Sequence, residues 1–506
     1  MTGWNKRKGH SPVRTNVPTG GIVVAVMAAA ILAALLATTA GARPLRFLHI
    51  HHNLSWTSEQ LSAHPGLAVT ADGSTVVAVW TERYRDNFDG RVYLRVASET
   101  GGGWGNKITV FPDGSPAEIV RAEDVAAVAV TGTTAHVAYV VRGFEDESLA
   151  RTEVRYRTCS LPNGPCATGW QSVVIENNVN YFVGRADIAL DDEGDPHVVW
   201  ARYDQAKTQR EIWYNTPSGG TWPLGGYLVD TTSWTAGSPP IERAPAIACE
   251  GGYAHVVWED LSGDAHVVRY RRRNDASGMW DDIEDIMTPD ADQPAGNPDV
   301  AAGAGQVFVV LDWCSFSGCQ AYTPLYRRWA VTDTMNSGDL LEVGTDNLYS
   351  AVTNYYPSDP RTGAYKYTWD LQPSIALNDE GWPAVAWHAQ RVGSPGEYDI
   401  HYSYATAGTI TQVHWITPTT LGFGQGALLG SPAVGIGRSP AKTNASAETL
   451  ALDDEQHQHI VYMRNLSASA WDVYYDGDEW EEYPHAFLPM ITKDAMGLPR
   501  STLKDR

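Results

Sequence analysis

Three arginines recur at one place in a repeating pattern: Arg121, Arg185 and Arg243 each stand just ahead of a short apolar run. Arginine presents a planar fork of donors that suits a carboxylate or a sulfate. A second charged set follows the next apolar run of each repeat: Glu82 and Arg83, Arg142, Arg202 and Asp204, Glu259 and Asp260, and Arg391. Mixed charge of this kind reads in two ways, as a polar pocket for an anionic or hydroxylated ligand, or as ion pairs between neighbouring structural units. A third group is aromatic. Residues 344–371 carry Tyr349, Tyr355, Tyr356, Tyr365, Tyr367 and Trp369, and flat rings with polar tips suit sugars or peptides. The candidate ligand-binding residues are therefore Arg121, Arg185, Arg243, Arg202, Asp204, Glu259, Asp260, Tyr355, Tyr356 and Trp369; no catalytic residue is assigned.

Two other sets look like chemistry and read better as architecture. The acidic turns Asp191–Asp195, Asn378–Gly381 and Asp453–Glu455 resemble calcium loops in isolation. They lack the spacing of a full EF-hand loop, and Asp, Asn and Gly are what tight turns require. No cofactor is called for, with calcium as the alternative reading of these turns. His136, His197, His255 and His459 share one repeated position, three residues before an aromatic. Residues repeated in separate units do not converge on one ion, so a packing role is expected. His49, His51 and His52 lie in the segment ahead of the repeats.

The elements that position these residues come from a seven-fold repeat. Its clearest part is a short apolar strand ending, in most copies, in an aromatic: Val76–Trp80, Ala135–Tyr139, Pro196–Trp200, Ala254–Trp258, Gln306–Leu311, Pro383–Trp387 and Gln458–Tyr462. Another apolar strand precedes each of them across a polar turn, a third follows, and a tryptophan or short apolar segment opens a fourth. Ile188–Trp200 aligns without a gap on Leu450–Tyr462, with seven of thirteen positions identical. Four strands per repeat predict an all-β fold, a β-propeller of seven four-stranded blades, with six or eight as the other counts. A single blade cannot bury both faces, whereas stacked blades can. Alternating connections then divide the loops between two ends. The mouth end carries the second-to-third connections and the links between blades; the far end carries the acidic turns and the third-to-fourth hairpins.

Composition agrees. Of 506 residues, 47 are glycine, 29 proline and 19 tryptophan, which fits many short strands and turns. The net charge of −22 argues against nucleic acid as partner, since a phosphate backbone needs a positive footprint. Lys6, Arg7, Lys8 and Arg14 precede an apolar run, and Ala40–Ala42 offers a small-residue cleavage site. That is the layout of a secretory signal; an uncleaved membrane anchor through residues 20–40 fits the same residues. Either places the body outside the cytoplasm, secreted or anchored in the cell membrane. The expected organisation is 1–42 basic end with signal or anchor, 43–62 linker and ring-closing strand, 63–490 propeller, and 491–506 polar tail. Trp56–Ser62 and the Trp480 segment compete for the closing position. Cys159 with Cys166 and Cys314 with Cys319 each flank a short loop and are disulfide candidates in an oxidising compartment; Cys249 is left as a free thiol.

Ser98–Trp104, Ser218–Trp222 and Asn274–Trp280 resemble worn copies of the Asp-box, the Ser-x-Asp-x-Gly-x-Thr-Trp hairpin of the sialidase-like propeller superfamily (BNR, or Asp-box, repeats). The resemblance implies that these segments join third to fourth strands on the end away from any active site. Members that are sialidases use an arginine triad and a Tyr–Glu pair, the first arginine lying in a Phe/Tyr-Arg-Ile-Pro motif. That motif is missing, and Arg43–Arg46 does not match it. The expectation is an exported or membrane-anchored propeller that binds a glycan or protein ligand through its mouth end without catalysis. The alternatives are a sialidase-like glycoside hydrolase or lyase, and a structural scaffold of the cell envelope.

Overall fold

The computed structural model describes residues between 52 and 477; the longest internal stretches outside the description are 333–366, 405–418 and 431–449. The expected signal or anchor, Arg243, Tyr355, Tyr356, Cys166, Cys319 and the Trp480 segment therefore lie outside the described residues. Among the described residues there are only strands and turns, and no helix is long and apolar enough to cross a membrane.

The strands form the seven expected blades, at residues 60–111, 119–177, 181–233, 246–287, 295–330, 367–420 and 428–477. Blade three is the simplest, an antiparallel meander of Tyr181–Leu190, Pro196–Asp204, Gln209–Asn215 and Tyr227–Ser233. Blade four repeats it with Ala246–Glu250, Tyr253–Asp260, Val267–Asn274 and Glu284–Met287. In blade seven the first strand is split, since Leu428–Gly430 and Leu450–Leu452 pair with the two ends of Gln458–Ser467.

The last blade is completed from the other end of the chain. His52 and Asn53 pair with Tyr475 and Tyr474 of Ala470–Gly477, Leu54 N donates to Val473 O at 2.8 Å, and Val473 N donates to Ser55 Oγ at 3.0 Å. The pairing segment thus lies upstream of Trp56–Ser62, whose final residues belong instead to Gln60–Val69, the first strand of blade one.

Period-two alternation explains the packing. In Thr75–Tyr84, Val76, Ala78 and Trp80 face Val473 and Tyr475 of blade seven, while Val77 and Val79 face blade two. Val198 and Trp200 face blade two, Val199 and Ala201 face blade four. Each strand sends alternate residues into two different cores because successive side chains point to opposite faces of a sheet. Among the described residues, the aromatics ending second strands, Trp80, Tyr139, Trp200, Trp258 and Trp387, are each buried in a core shared with the preceding blade. Each large ring removes much apolar area from water, so truncation to alanine costs about 3–5 kcal/mol.

First strands carry a shared irregularity. Register shifts fall at Ala63/Gly66, Val183/Ala186, Gly296/Asp299 and Leu371/Ser374. Pro65, Pro298 and Pro373 sit inside three of them, where a residue without an N–H costs no ladder bond. These bulges re-aim the residues beside them, Arg185 and Asn297 among them.

Candidate functional site

The mouth end of blades three and four holds a set of interlocked polar contacts. Arg202 and Glu211 are direct cross-strand neighbours, and the register places Trp213 two residues along from Glu211 and Tyr181 two residues along from Val183, the partner of Arg202 on its other side. Residues two apart share a sheet face, so all four converge. Arg202 Nε donates to Glu211 Oε2 at 2.5 Å, and its NH1 lies 3.5 Å from Glu176 Oε1 of blade two. Its guanidinium is sandwiched between the rings of Tyr181 at 4.3 Å and Trp213 at 3.9 Å. Trp213 Nε1 in turn donates to Glu211 Oε2 at 2.8 Å, and Gln209 Nε2 to Glu211 Oε1 at 3.0 Å. Burial is the main cause that raises the Glu176 carboxyl, opposed by Arg202 and reinforced by Glu211. Tyr181, Gln209 and Trp213 stay half-buried, so one edge of this stack meets solvent.

Asp204 closes the adjoining loop. It accepts from Thr208 N at 2.6 Å, Gln209 N at 2.8 Å and Thr208 Oγ1 at 2.7 Å. These hydrogen bonds outweigh desolvation and hold its carboxyl below the ordinary range. In blade four, Asp260 receives Arg269 NH1 at 2.6 Å, and the same nitrogen reaches Asp230 of blade three at 3.3 Å. Glu259 accepts Asn297 N at 3.3 Å, and its carbonyl takes a bond from Arg210. Glu82 of blade one follows the same plan, accepting from Trp80 Nε1 at 2.8 Å and Lys107 Nζ at 2.9 Å.

The other candidates are placed as follows. Arg185 is buried beside its bulge. Arg121 ends Ile119–Arg121, paired with Arg142. Trp369 lies within the strand Tyr367–Leu377, paired with Gln390 and bridged to Tyr322, and so is not part of a free aromatic loop. Cys159 is disulfide-bonded, Cys314 ends Gln306–Cys314, and Cys249 is free.

Two carboxyls, Asp187 buried and Asp299 half-buried, went unnoticed in the sequence. Asp187 and Asp299 occupy the same position of the first strands in blades three and five. Asp187 Oδ2 accepts Ile247 N of blade four, and Asp299 Oδ2 accepts Ile375 N of blade six, each at 2.9 Å. A first strand is a sheet edge with unpaired amides, and these carboxyls satisfy one amide of the next blade. Burial raises both, Asp187 well above the ordinary range and Asp299 to about 6. The signal available in sequence was the pattern Asp187-Ile-Ala against Asp299-Val-Ala: an acid at a core-facing step of an apolar strand.

At the far end the repeated histidines do pack. His136, His197 and His255 share Nδ1 hydrogen bonds with Tyr156, Tyr214 and Tyr270 at 2.7, 2.5 and 2.8 Å. Each tyrosine then meets a tryptophan of the next blade: Tyr156 with Trp222, Tyr214 with Trp280, Tyr270 with Trp329. Tyr475 of blade seven meets Trp104 of blade one in the same way, with centroids 4.9 Å apart. The Asp-box-like hairpins thus carry an inter-blade contact. The acidic turn is closed by Asp191 Oδ1, which accepts Glu193 N at 3.1 Å and Asp195 N at 2.7 Å. Ligand atoms of Asp191, His197 and Asp275 come within 4.8 Å of one another. Arg273 NH1 already lies 2.7 Å from Asp275 and 3.3 Å from Tyr214 Oη, so a guanidinium supplies the positive charge there.

No family model matches the sequence, and no curated protein matches it. Among solved structures, a protein of unknown function from Dyadobacter fermentans is 8% identical, covering 85% of this chain and 98% of its own, with a TM-score of 0.43. An α-L-arabinofuranosidase of Fusarium graminearum is 10% identical, covering 83% and 94%, at 0.40. An α-L-arabinanase of Penicillium chrysogenum is 13% identical, covering 69% and 90%, at 0.37. No residue role is carried over from them.

Proposed function

We propose that the protein is an exported propeller that binds a carbohydrate at the mouth end of blade three, against Tyr181, Gln209 and Trp213. One observation carries this reading: the Arg202 guanidinium is held between two rings by two carboxylates, leaving a half-buried edge of aromatic and planar polar groups. A sugar offers C–H faces to rings and hydroxyls to such groups. Because the stack is fixed by its own bonds, little side-chain freedom is lost on binding. The charged groups described here are engaged with one another, Arg202 with Glu211 and Glu176, Arg269 with Asp260 and Asp230. That supports binding over hydrolysis. A glycan array with the purified protein tests it: a signal is expected from the wild type and is lost in Trp213→Ala and Tyr181→Ala variants that circular dichroism shows to remain folded. Signal that survives both substitutions, or no signal at all, removes the reading, and silence in hydrolysis assays as well favours the scaffold.

A second reading, glycoside hydrolysis, is favoured by Asp187 and Asp299. A carboxyl kept protonated near neutrality is what a general acid requires, and burial raises both groups in that direction. Sugar release from labelled glycosides that disappears in Asp187→Asn, with binding retained, would replace the first reading.

A further inference from the structure

The ring-closing segment fixes the end of the propeller at which the chain enters. Ala470–Gly477 is the third strand of blade seven and runs from the mouth end to the far end. His52 and Asn53 pair with it antiparallel, opposite Tyr475 and Tyr474. They therefore run from the far end toward the mouth, and the chain reaches His52 at the far end, on the outer edge of blade seven. Ahead of it stands the apolar run 21–39, 19 residues without a charge. That exceeds the roughly 7–15 residues of a signal core and fits the ~20 of a bilayer span. The 12 residues 40–51 reach at most about 40 Å when fully extended. A nine-residue strand such as Pro196–Asp204 is itself about 30 Å long. Turning the mouth toward a membrane that holds residues 20–40 would use most of that tether to climb the outer edge of blade seven.

The far end also carries exposed apolar residues in blades three and four. Leu224 is 84% exposed and Met279 68%, both in third-to-fourth connections, and Tyr227 follows at 46% where the outer strand of blade three begins. The two hairpins are held together. Arg271 NH1 donates to Val229 O and its Nε to Asp281 O, and Arg273 stands over both the Tyr214 and the Tyr227 rings, at 5.2 and 5.7 Å. The acids beside them are already paired, Asp281 with Arg272 at 2.7 Å and Asp285 with Arg269 at 3.3 Å. These acids therefore call for no basic partner, and clustered apolar side chains among paired charges suit a lipid interface.

We propose that the protein remains anchored through residues 20–40 and rests its far end on the bilayer, with the mouth end pointing away. Leu224 and Met279 enter the interface, and Tyr227 lies at headgroup level. The occupant of this surface is the lipid of the membrane that holds the anchor. The orientation stands whichever ligand the mouth takes, and it leaves Tyr181, Gln209 and Trp213 open on the side away from the membrane.

The test uses the full chain reconstituted into phosphatidylcholine vesicles whose acyl chains carry a nitroxide quencher. One cysteine at a time is introduced, by Leu224→Cys, Met279→Cys or Ala206→Cys, and labelled with a fluorescent maleimide. Ala206 is exposed on the second-to-third connection of blade three, at the mouth end. Wild type labelled in parallel corrects for native thiols such as Cys249. Relative to vesicles without nitroxide, the labels at 224 and 279 are expected to lose emission. The label at 206 should keep it, standing about 30 Å farther from the lipid. All three positions are exposed, and circular dichroism checks that each variant is folded. Loss at 206, or no loss at 224 and 279, overturns the proposal. So does shielding of 279 from aqueous iodide without quenching by lipid, which would assign the surface to another protein or a second copy of this chain. Protein recovered from an exporting host with Arg43 as its first residue also overturns it, since the anchor would be gone.

Discussion

Replacing Arg202 by methionine tests the centre of the mouth-end site. Methionine keeps most of the apolar stem but leaves Glu211 and Glu176 without their cation, at side-chain exposures of only 10% and 4%. Breaking a buried pair from one side costs about 3–5 kcal/mol, and losing the stack on Tyr181 and Trp213 adds about 0.5–2 kcal/mol. Arg202→Met should therefore lower stability by about 3.5–7 kcal/mol at pH 7.5. Adding Glu211→Gln should recover part of that loss, because one stranded charge is removed. The sign of the pH dependence is also determined. Glu176 already binds its proton more tightly folded than unfolded, and without Arg202 this raised carboxyl rises further. Such a group penalises the folded state above the unfolded carboxyl range and ceases to do so once the pH falls below it. The deficit of Arg202→Met should shrink on acidification from pH 7.5 to 5. Urea unfolding followed by tryptophan fluorescence measures both effects. A loss under about 1 kcal/mol, the usual value of an exposed pair, or a deficit that grows as the pH falls, would refute the reasoning.

Further predictions concern the fold. His136 and His255 are held neutral by burial, with pKa values lowered to about 4 and about 3. Their contribution is complete above the unfolded value near 6.5 and is lost as the pH falls toward the folded ones, so His255→Gln should flatten the fall in urea midpoint below pH 6.5. Gly226 has φ +60°, and a Cβ there would sit 2.6 Å from Tyr214 O and 2.9 Å from the Trp200 ring; Gly226→Ala should cost about 2–5 kcal/mol by denaturation. Leu54 is fully buried between the last blade and the first, and Leu54→Ala should cost about 2–5 kcal/mol and speed proteolysis near residue 470.

The blade repeat was legible because it is local. Period-two alternation, a polar turn after the first strand and an aromatic at the end of the second strand are constraints within a few residues of each other, and most copies state them again. The turn role of Asp191 and the packing role of the histidines followed from the same recurrence. The recurrence carried no information about which groups meet across blades. Arg202 and Glu211 face each other across one hairpin, but Glu176 reaches them from blade two. Asp275 comes to His197 from blade four, and Trp104 covers Tyr475 from the far end of the chain. The residues singled out by charge, such as Asp260 and Arg202, proved to be halves of pairs whose other halves lie in neighbouring sheets or strands. Sequence by itself determined the blade, since strand periodicity and turn chemistry act at short range. Only the tertiary structure decided the site, since it is made where separately folded blades are pressed together.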